Sequence, residues 1–174
     1  MKLNPNKCNY MIFSRCKENI ATRLNIGSTI LERKKTQKIL GVMISDDISW
    51  SQHCQEICRK AYSRMSMLTK LKYVGVGVED LDIYILYIRS LTEYCSVAFH
   101  SSLTGEQSNR IERVQKTCLK VILNDMYVDY QAALEMTGLQ TLVDRRIQRC
   151  LNFSLRSVKH ERNSAMFPLN QTAW

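Results

Sequence analysis

Apolar and polar positions change their period near Ser49. Up to residue 48 the apolar residues form short runs broken by Gly, Asn and charged residues, which predicts strands. "NYMIFS" reads as one strand, and "TRLNI" and "STIL" flank Gly27 as a hairpin whose turn type stays open. After the basic "ERKKTQK", the run "ILGVMIS" reads as a further strand ending at Asp46-Asp47. Strands this short bury little by themselves and need a surface to pack on.

From Ser49 onward the period is helical. Trp50, Cys54, Ile57, Ala61, Met65, Leu68 and Leu71 recur at three- and four-residue steps, predicting an amphipathic helix of about five turns. Ser49 and Gln52 have capping-box spacing at its start, and "YVGVG" ends it. A second helix is expected from about Glu79, and its "LDIYILYIRSL" is apolar on most sides, as in a helix enclosed by others. A third has Thr104 and Gln107 at capping-box spacing and Ile111, Val114, Cys118, Val121 and Ile122 on one face. Arg110, Arg113, Lys116 and Lys120 fill an arc beside that face. A short helix over "YQAALEMT" should stop at Gly138. Thr141 then caps a last helix, with Val143, Ile147, Cys150, Leu151 and Val158 expected inside and Arg145, Arg146, Arg149 and Arg156 outside. Periodicity fades from about His160, so residues 161–174 read as a flexible tail. The expected fold is mainly α with a small β part: a β-rich segment over 1–48, then four to five helices over 49–160.

Composition narrows the class. A hydrophobic share of 45% with two prolines and six glycines in 174 residues indicates a packed core. No apolar run approaches the ~18 residues of a membrane span, and no basic-then-apolar leader is present, so an intracellular protein without a membrane partner is expected, nucleus or cytoplasm left open. The seven cysteines form no CxxC pair. Cys54, Cys58, Cys118 and Cys150 fall on helical apolar positions, which suits small core residues in a reducing compartment. "HCQEIC" has the look of a metal half-site, but no second half follows and its cysteines lie on the apolar stripe, so core packing is the stronger reading.

An excess of 25 Lys+Arg over 16 Asp+Glu, formally +9, points to a polyanionic partner if the charge is concentrated. Lys60 and Arg64 stand one turn apart on the outer side of the first long helix. With Arg110, Arg113, Lys116 and Lys120, and with Arg145, Arg146 and Arg149, they form a groove for a phosphate backbone if their faces meet. If not, they are solvated helix faces. "MISDD" resembles a pair of metal-binding aspartates, yet two-metal chemistry needs carboxylates from separate elements around ions about 3.5–4 Å apart. Asp46 and Asp47 precede a helix start, where a turn-and-cap role suffices. No GxSxG or GxxxxGK[ST] motif occurs, so no catalytic residue is assigned.

Four segments in order carry a family resemblance: "LNPNKCNYMIFS", "KILGVMISDDISWSQH", "YIRSLTEYCSVAFHSSLTGEQSNRIERVQKTCLKVIL" and "YQAALEMTGLQTLVDRRIQRCLNFSLRSVKH". Together they resemble the C-terminal part of the reverse transcriptase of non-LTR (LINE-like, jockey-like) retrotransposons, over about residues 3 to 170. The resemblance implies that "LNPNK" is the late palm motif with Lys7 at the family's lysine, and that "ILGV" is the primer-grip hairpin with Leu40 and Gly41 matching. It makes the β part a short antiparallel remnant of a polymerase palm and the helices a thumb-like module on primer–template. Cys8 stands where the family commonly has Thr, Ile39 where an aromatic precedes Leu-Gly, and "CSVAFHSS" lacks the family's Pro and Trp.

Three functions follow as expectations. The first is a catalytically incomplete fragment binding the backbone of an RNA–DNA hybrid, with no cofactor of its own. The second is part of an RNA-directed DNA polymerase, in which a separate N-terminal fingers and palm would supply the aspartates and Mg²⁺. The third is a retroelement remnant acting only through protein association, with itself included, at exposed strand edges and the thumb face.

Overall fold

The computed structural model describes residues 4–13, 23–74 and 80–164. The protein is mainly helical with a small β part, in two compact units spanning 1–56 and 57–174.

In the first unit, a 3-10 turn over Pro5–Lys7 leads into β1 (Asn9–Tyr10), shorter than the expected "NYMIFS" strand. The Gly27 hairpin forms: β2 (Asn25–Ile26) and β3 (Thr29–Ile30) run antiparallel with Ile26 opposite Thr29. Of the two loop residues Gly27 has φ +60° and Ser28 has no positive φ, which makes the turn the Gly-first type II′. β4 (Glu32–Arg33) pairs parallel with β1.

"ILGVMIS" is two strands rather than one. β5 (Thr36–Ile39) folds back on β6 (Val42–Ser45), with Ile39 opposite Val42 and Thr36 opposite Ser45. Leu40 and Gly41 form the two-residue loop, with φ of 47° and 89°, as a type I′ turn requires. Unbroken apolar character hides this reversal, because the first turn position holds Leu in place of the usual Asn, Asp or Gly.

The first long helix, α1 (Ser51–Val74), begins later than its expected capping box. Its first backbone bond runs from the Cys54 N–H to the Trp50 carbonyl at 2.8 Å, so Ser49 lies outside the helix. The Ser49 N–H donates to the Asp47 carboxylate at 2.9 Å, and this bond holds the Asp47 carboxyl below its ordinary range. Asp47 is thus a turn residue. Cys54, Ile57, Cys58, Ala61 and Leu68 are buried along α1. His53 is buried too: its Nδ1 accepts the Met43 N–H at 3.4 Å and its ring stands edge-on to Trp50 at 6.0 Å. "HCQEIC" therefore sits at packing positions.

The second unit holds α2 (Asp80–Ile83), a π-helical stretch (Tyr84–Arg89) and α3 (Ser90–Glu93) as successive turns. The expectation of a helix enclosed on all sides is corrected: Tyr84 and Ile88 are buried, whereas Leu86 and Tyr87 are exposed. Cys95, at φ 55°, turns the chain into α4 (Ser96–Phe99), an element the pattern did not announce, followed by a 3-10 turn over His100–Ser102. α5 (Gly105–Leu123) has the expected capping box: Thr104 Oγ1 accepts the Gln107 N–H at 3.2 Å, and Gln107 Oε1 accepts the Thr104 N–H at 3.0 Å. Ile111, Val114, Cys118 and Leu119 are sealed inside.

After a 3-10 turn over Asn124–Met126, α6 (Tyr130–Thr137) is capped by Asp129, which accepts the Ala132 N–H at 2.8 Å. It ends at Gly138, φ 64°, where the Leu139 N–H reaches back to the Leu134 carbonyl at 3.0 Å in a Schellman arrangement. Thr141 starts α7 (Leu142–Lys159), its hydroxyl accepting the Asp144 N–H at 3.0 Å. α8 (Glu161–Ser164) occupies the start of the segment read as a tail, whose remainder, 165–174, lies outside the described residues.

On α7 the expected faces hold only in part: Arg149 and Arg156 are exposed as expected, but Arg145 is half-buried and Arg146 is inside. Leu142 and Arg146 are fully buried, while Ile147, Leu151 and Leu155 are 42%, 52% and 61% exposed. Val143, Cys150 and Val158 are half-buried. Polar partners inside the unit draw Arg145 and Arg146 in. Arg146 Nη2 donates to Ser108 Oγ at 2.9 Å. One helix over, Glu112 accepts the Leu142 and Val143 N–H groups at 3.0 and 3.2 Å, satisfying two orphan donors of the α7 N-terminus, and also the Tyr130 hydroxyl. Gln115 Nε2 donates to Tyr130 Oη and to the Gln140 carbonyl, both at 2.9 Å, and Gln115 accepts the Tyr84 hydroxyl. Burial pushes the Tyr84 hydroxyl well above its ordinary pKa, so it acts as a donor at all working pH values.

Candidate nucleic-acid interface

The sequence-derived basic residues separate into three environments. On α1, Lys60 is half-buried. Arg64 Nη1 donates to the Tyr87 carbonyl at 2.5 Å, and its guanidinium lies 4.3 Å from the centroid of the Tyr87 ring. That geometry ties α1 to the π-helical stretch and gives Arg64 a packing role.

On α5 the row is exposed. Arg110, Arg113, Lys116 and Lys120 all face solvent. Arg110 pairs with Glu106 one turn back at 3.2 Å. Lys116 Nζ lies 4.8 Å from the centroid of the Tyr130 ring, and Lys120 Nζ lies 5.4 Å from that of Tyr127. These cation–π contacts leave the ammonium donors turned to water while the rings restrict where they point. Basic groups and aromatic faces therefore alternate along one surface.

On α7 the arginines converge on an acid. Glu93, buried at the end of α3, accepts from Arg145 through Nε and through Nη2 at 3.1 Å, and from Arg149 Nη2 at 2.7 Å. Arg89 Nε stands 3.8 Å from the same carboxylate. Burial alone would push the Glu93 carboxyl up; the Arg145 bonds and the charges of Arg145, Arg149 and Arg89 outweigh it and hold the carboxyl low. The Glu93 hydrogen bonds raise Arg145, whereas burial and the neighbouring Arg145 pull Arg89 down. Glu93 and Arg89 were not singled out by the sequence. The structure thus does not join the α7 arginines to the α5 row in one basic face.

In the first unit Lys7 is exposed and lines a cleft of about 510 Å³ with Asn9, Thr29, Glu32 and Lys34. Leu40 and Gly41 form the exposed hairpin tip, with Leu40 86% accessible. Among the described residues no three His, Cys, Asp or Glu side chains group as a metal site would need, and no helix is long and apolar enough to cross a membrane.

Sequence reasoning also missed Tyr127, Tyr130, Glu112 and Gln115. Gln115 carried a usable signal, since on a helical wheel it falls inside the arc of Ile111, Cys118 and Leu119, where a polar residue must find a buried partner, and Glu112 stands just beyond the edge of that arc beside Leu119. Compared with protein-family models, curated proteins and solved structures, the chain matches none.

Proposed function

We propose that this chain is a thumb-like nucleic-acid-binding module that holds the phosphate backbone of an RNA–DNA hybrid against the outer face of α5. The observation that carries the reading is the exposed row Arg113, Lys116 and Lys120, with Tyr130 and Tyr127 beneath its lysines. Point charges spaced along a helix contact phosphates without reading bases. Aromatic faces beside them suit unpaired bases at a duplex end. The +9 formal charge supports the same partner, and the resemblance to LINE-like reverse transcriptases makes the hybrid its natural form. Arg64, Arg145, Arg146 and Arg149 support the module by packing.

Fluorescence anisotropy of the full chain with a labelled hybrid, titrated over salt, tests this. Three phosphate contacts give log K a slope of about −3 against log salt. Arg113→Gln, Lys116→Gln and Lys120→Gln together should remove most of that slope. Absence of binding at low salt with helical circular dichroism intact would refute the proposal. A second reading, protein association, is favoured by the outward row Ile147, Leu151 and Leu155 on α7. It predicts salt-insensitive, concentration-dependent sedimentation that Leu151→Glu abolishes.

A further inference from the structure

A pocket of about 280 Å³ is lined by Glu93, Ser96, Arg149, Asn152, Phe153 and Arg156 among others. Three features set it apart from an ordinary crevice. The first is uncompensated charge: Arg89, Arg145 and Arg149 share the single carboxylate of Glu93, and Arg156 adds a fourth guanidinium at the wall. Partly buried cations of like sign repel one another, and a bound anion would relieve this. The second is the Ser96 hydroxyl, which is buried at 1% residue exposure and makes no hydrogen bond within the protein. A buried hydroxyl without a partner carries a desolvation penalty that a ligand oxygen would remove. The third is Cys95, which also lines the pocket and holds a left-handed φ of 55°, a strained conformation for a residue with a Cβ.

We propose that this pocket binds the phosphate of a single nucleotide. The phosphate oxygens accept from Arg149, Arg156 and the Ser96 hydroxyl, and the base stacks on the Phe153 ring. Arg149 meets Glu93 through Nη2 and is half exposed, so the other nitrogens of its five-donor fork are placed to serve a second acceptor. Phe153 is 57% exposed, a large apolar surface that a planar base would cover. The site stands on α4 and α7 and does not depend on the α5 face.

Isothermal titration calorimetry of the full chain tests the proposal with three probes: adenosine 5′-monophosphate, inorganic phosphate and adenosine. The nucleotide should bind, inorganic phosphate should bind more weakly, and adenosine should give no heat. Arg156→Gln should weaken the nucleotide about tenfold or more, as loss of a charge-assisted hydrogen bond does. Phe153→Ala should weaken the nucleotide about fivefold or more and leave inorganic phosphate unchanged. Ser96→Ala gives a readout a structural role would not: the free protein is as stable as before or more so, while nucleotide affinity falls. No heat with the nucleotide, or equal affinities for nucleotide and inorganic phosphate that both ignore Phe153→Ala, would overturn the proposal. Loss of nucleotide binding in Lys116→Gln/Lys120→Gln would overturn it as well, by placing the ligand on α5. Retention in that variant, alongside loss of hybrid binding, separates this site from the α5 reading.

Discussion

Replacing Glu93 with Gln keeps the side-chain volume and removes one negative charge from the centre of the second unit. The Glu93 side chain is 4% exposed, and its partners Arg89, Arg145 and Arg149 are 12%, 26% and 48% exposed. Removing one member of a buried ion pair costs about 3–5 kcal/mol, because the other charge stays in a poor solvent. Arg145 and Arg89 remain in that position. Arg149, nearly half in water, adds the ~0–1 kcal/mol of a surface pair. The Gln carbonyl still accepts one bond, returning about 1 kcal/mol. The balance is a loss of roughly 3 kcal/mol from a total that for a domain is typically ~5–15 kcal/mol. Urea unfolding followed by far-ultraviolet circular dichroism reads this directly, as a fall in midpoint of roughly 1–3 M.

The acid limb adds a second check. The Glu93 carboxyl is held low in the folded protein, so its contribution is complete above the unfolded carboxyl range, about pH 4.3. It fades as pH falls through the lower folded value. Glu93→Gln has no such group, so the stability gap between wild type and variant should close on acidification. A loss below about 1 kcal/mol at neutral pH, the size of a surface pair, would refute the reasoning, as would a gap constant into acid.

Two further substitutions test local physics. Leu40→Asn should stabilise the β5–β6 hairpin by about 0.5–1 kcal/mol, since Asn tolerates the left-handed φ of 47° better and Leu40 is exposed; a loss in thermal unfolding would contradict it. Glu112→Ala should cost about 3 kcal/mol or more, because the Leu142 and Val143 N–H groups and the Tyr130 hydroxyl lose their acceptor inside the unit. Hydrogen exchange should then rise first at those two amides, and unchanged protection there would show that Glu112 is not the cap.

Local chemistry was legible where one residue type decides the geometry. Thr104, Thr141 and Gly138 mark helix ends because a hydroxyl acceptor or a missing Cβ is what those positions need, and the structure has all three in place. Gly27 marked its hairpin for the same reason. Ser49 misled because Asp47 competes for its backbone N–H, shifting the start of α1 to Ser51. The Leu40–Gly41 turn was hidden from the residue pattern by a strained Leu where a turn former was expected. The exposed α5 row was legible residue by residue, because it lies off the apolar arc of Ile111, Val114, Cys118 and Ile122. Its aromatic support was not, because Tyr127 and Tyr130 approach from the next segment.

The partial inversion of α7, with Arg146 inside and Ile147, Leu151 and Leu155 outside, shows what periodicity measures. It reports that a helix has two unlike faces, and the inside is assigned to the apolar one on the premise that a charge costs more to bury than a Leu gains. That premise fails when the receiving surface supplies acceptors. Around α7 the acceptors are Glu93 from α3 and Ser108 from α5, and they take Arg145, Arg149 and Arg146. Each guanidinium brings a long apolar stem into the interface along with its charge, so packing is kept while the head finds its acceptor. The row Ile147, Leu151 and Leu155 is then left outside by geometry, since it stands opposite the arginines on the same helix. On α5 the same premise holds: Arg113, Lys116 and Lys120 stay exposed, and the core against this helix is Leu119 with Ala133 and Leu134. Glu93, 52 residues before Arg145, is therefore a feature that helps set the orientation of α7, and no window on that helix alone contains it.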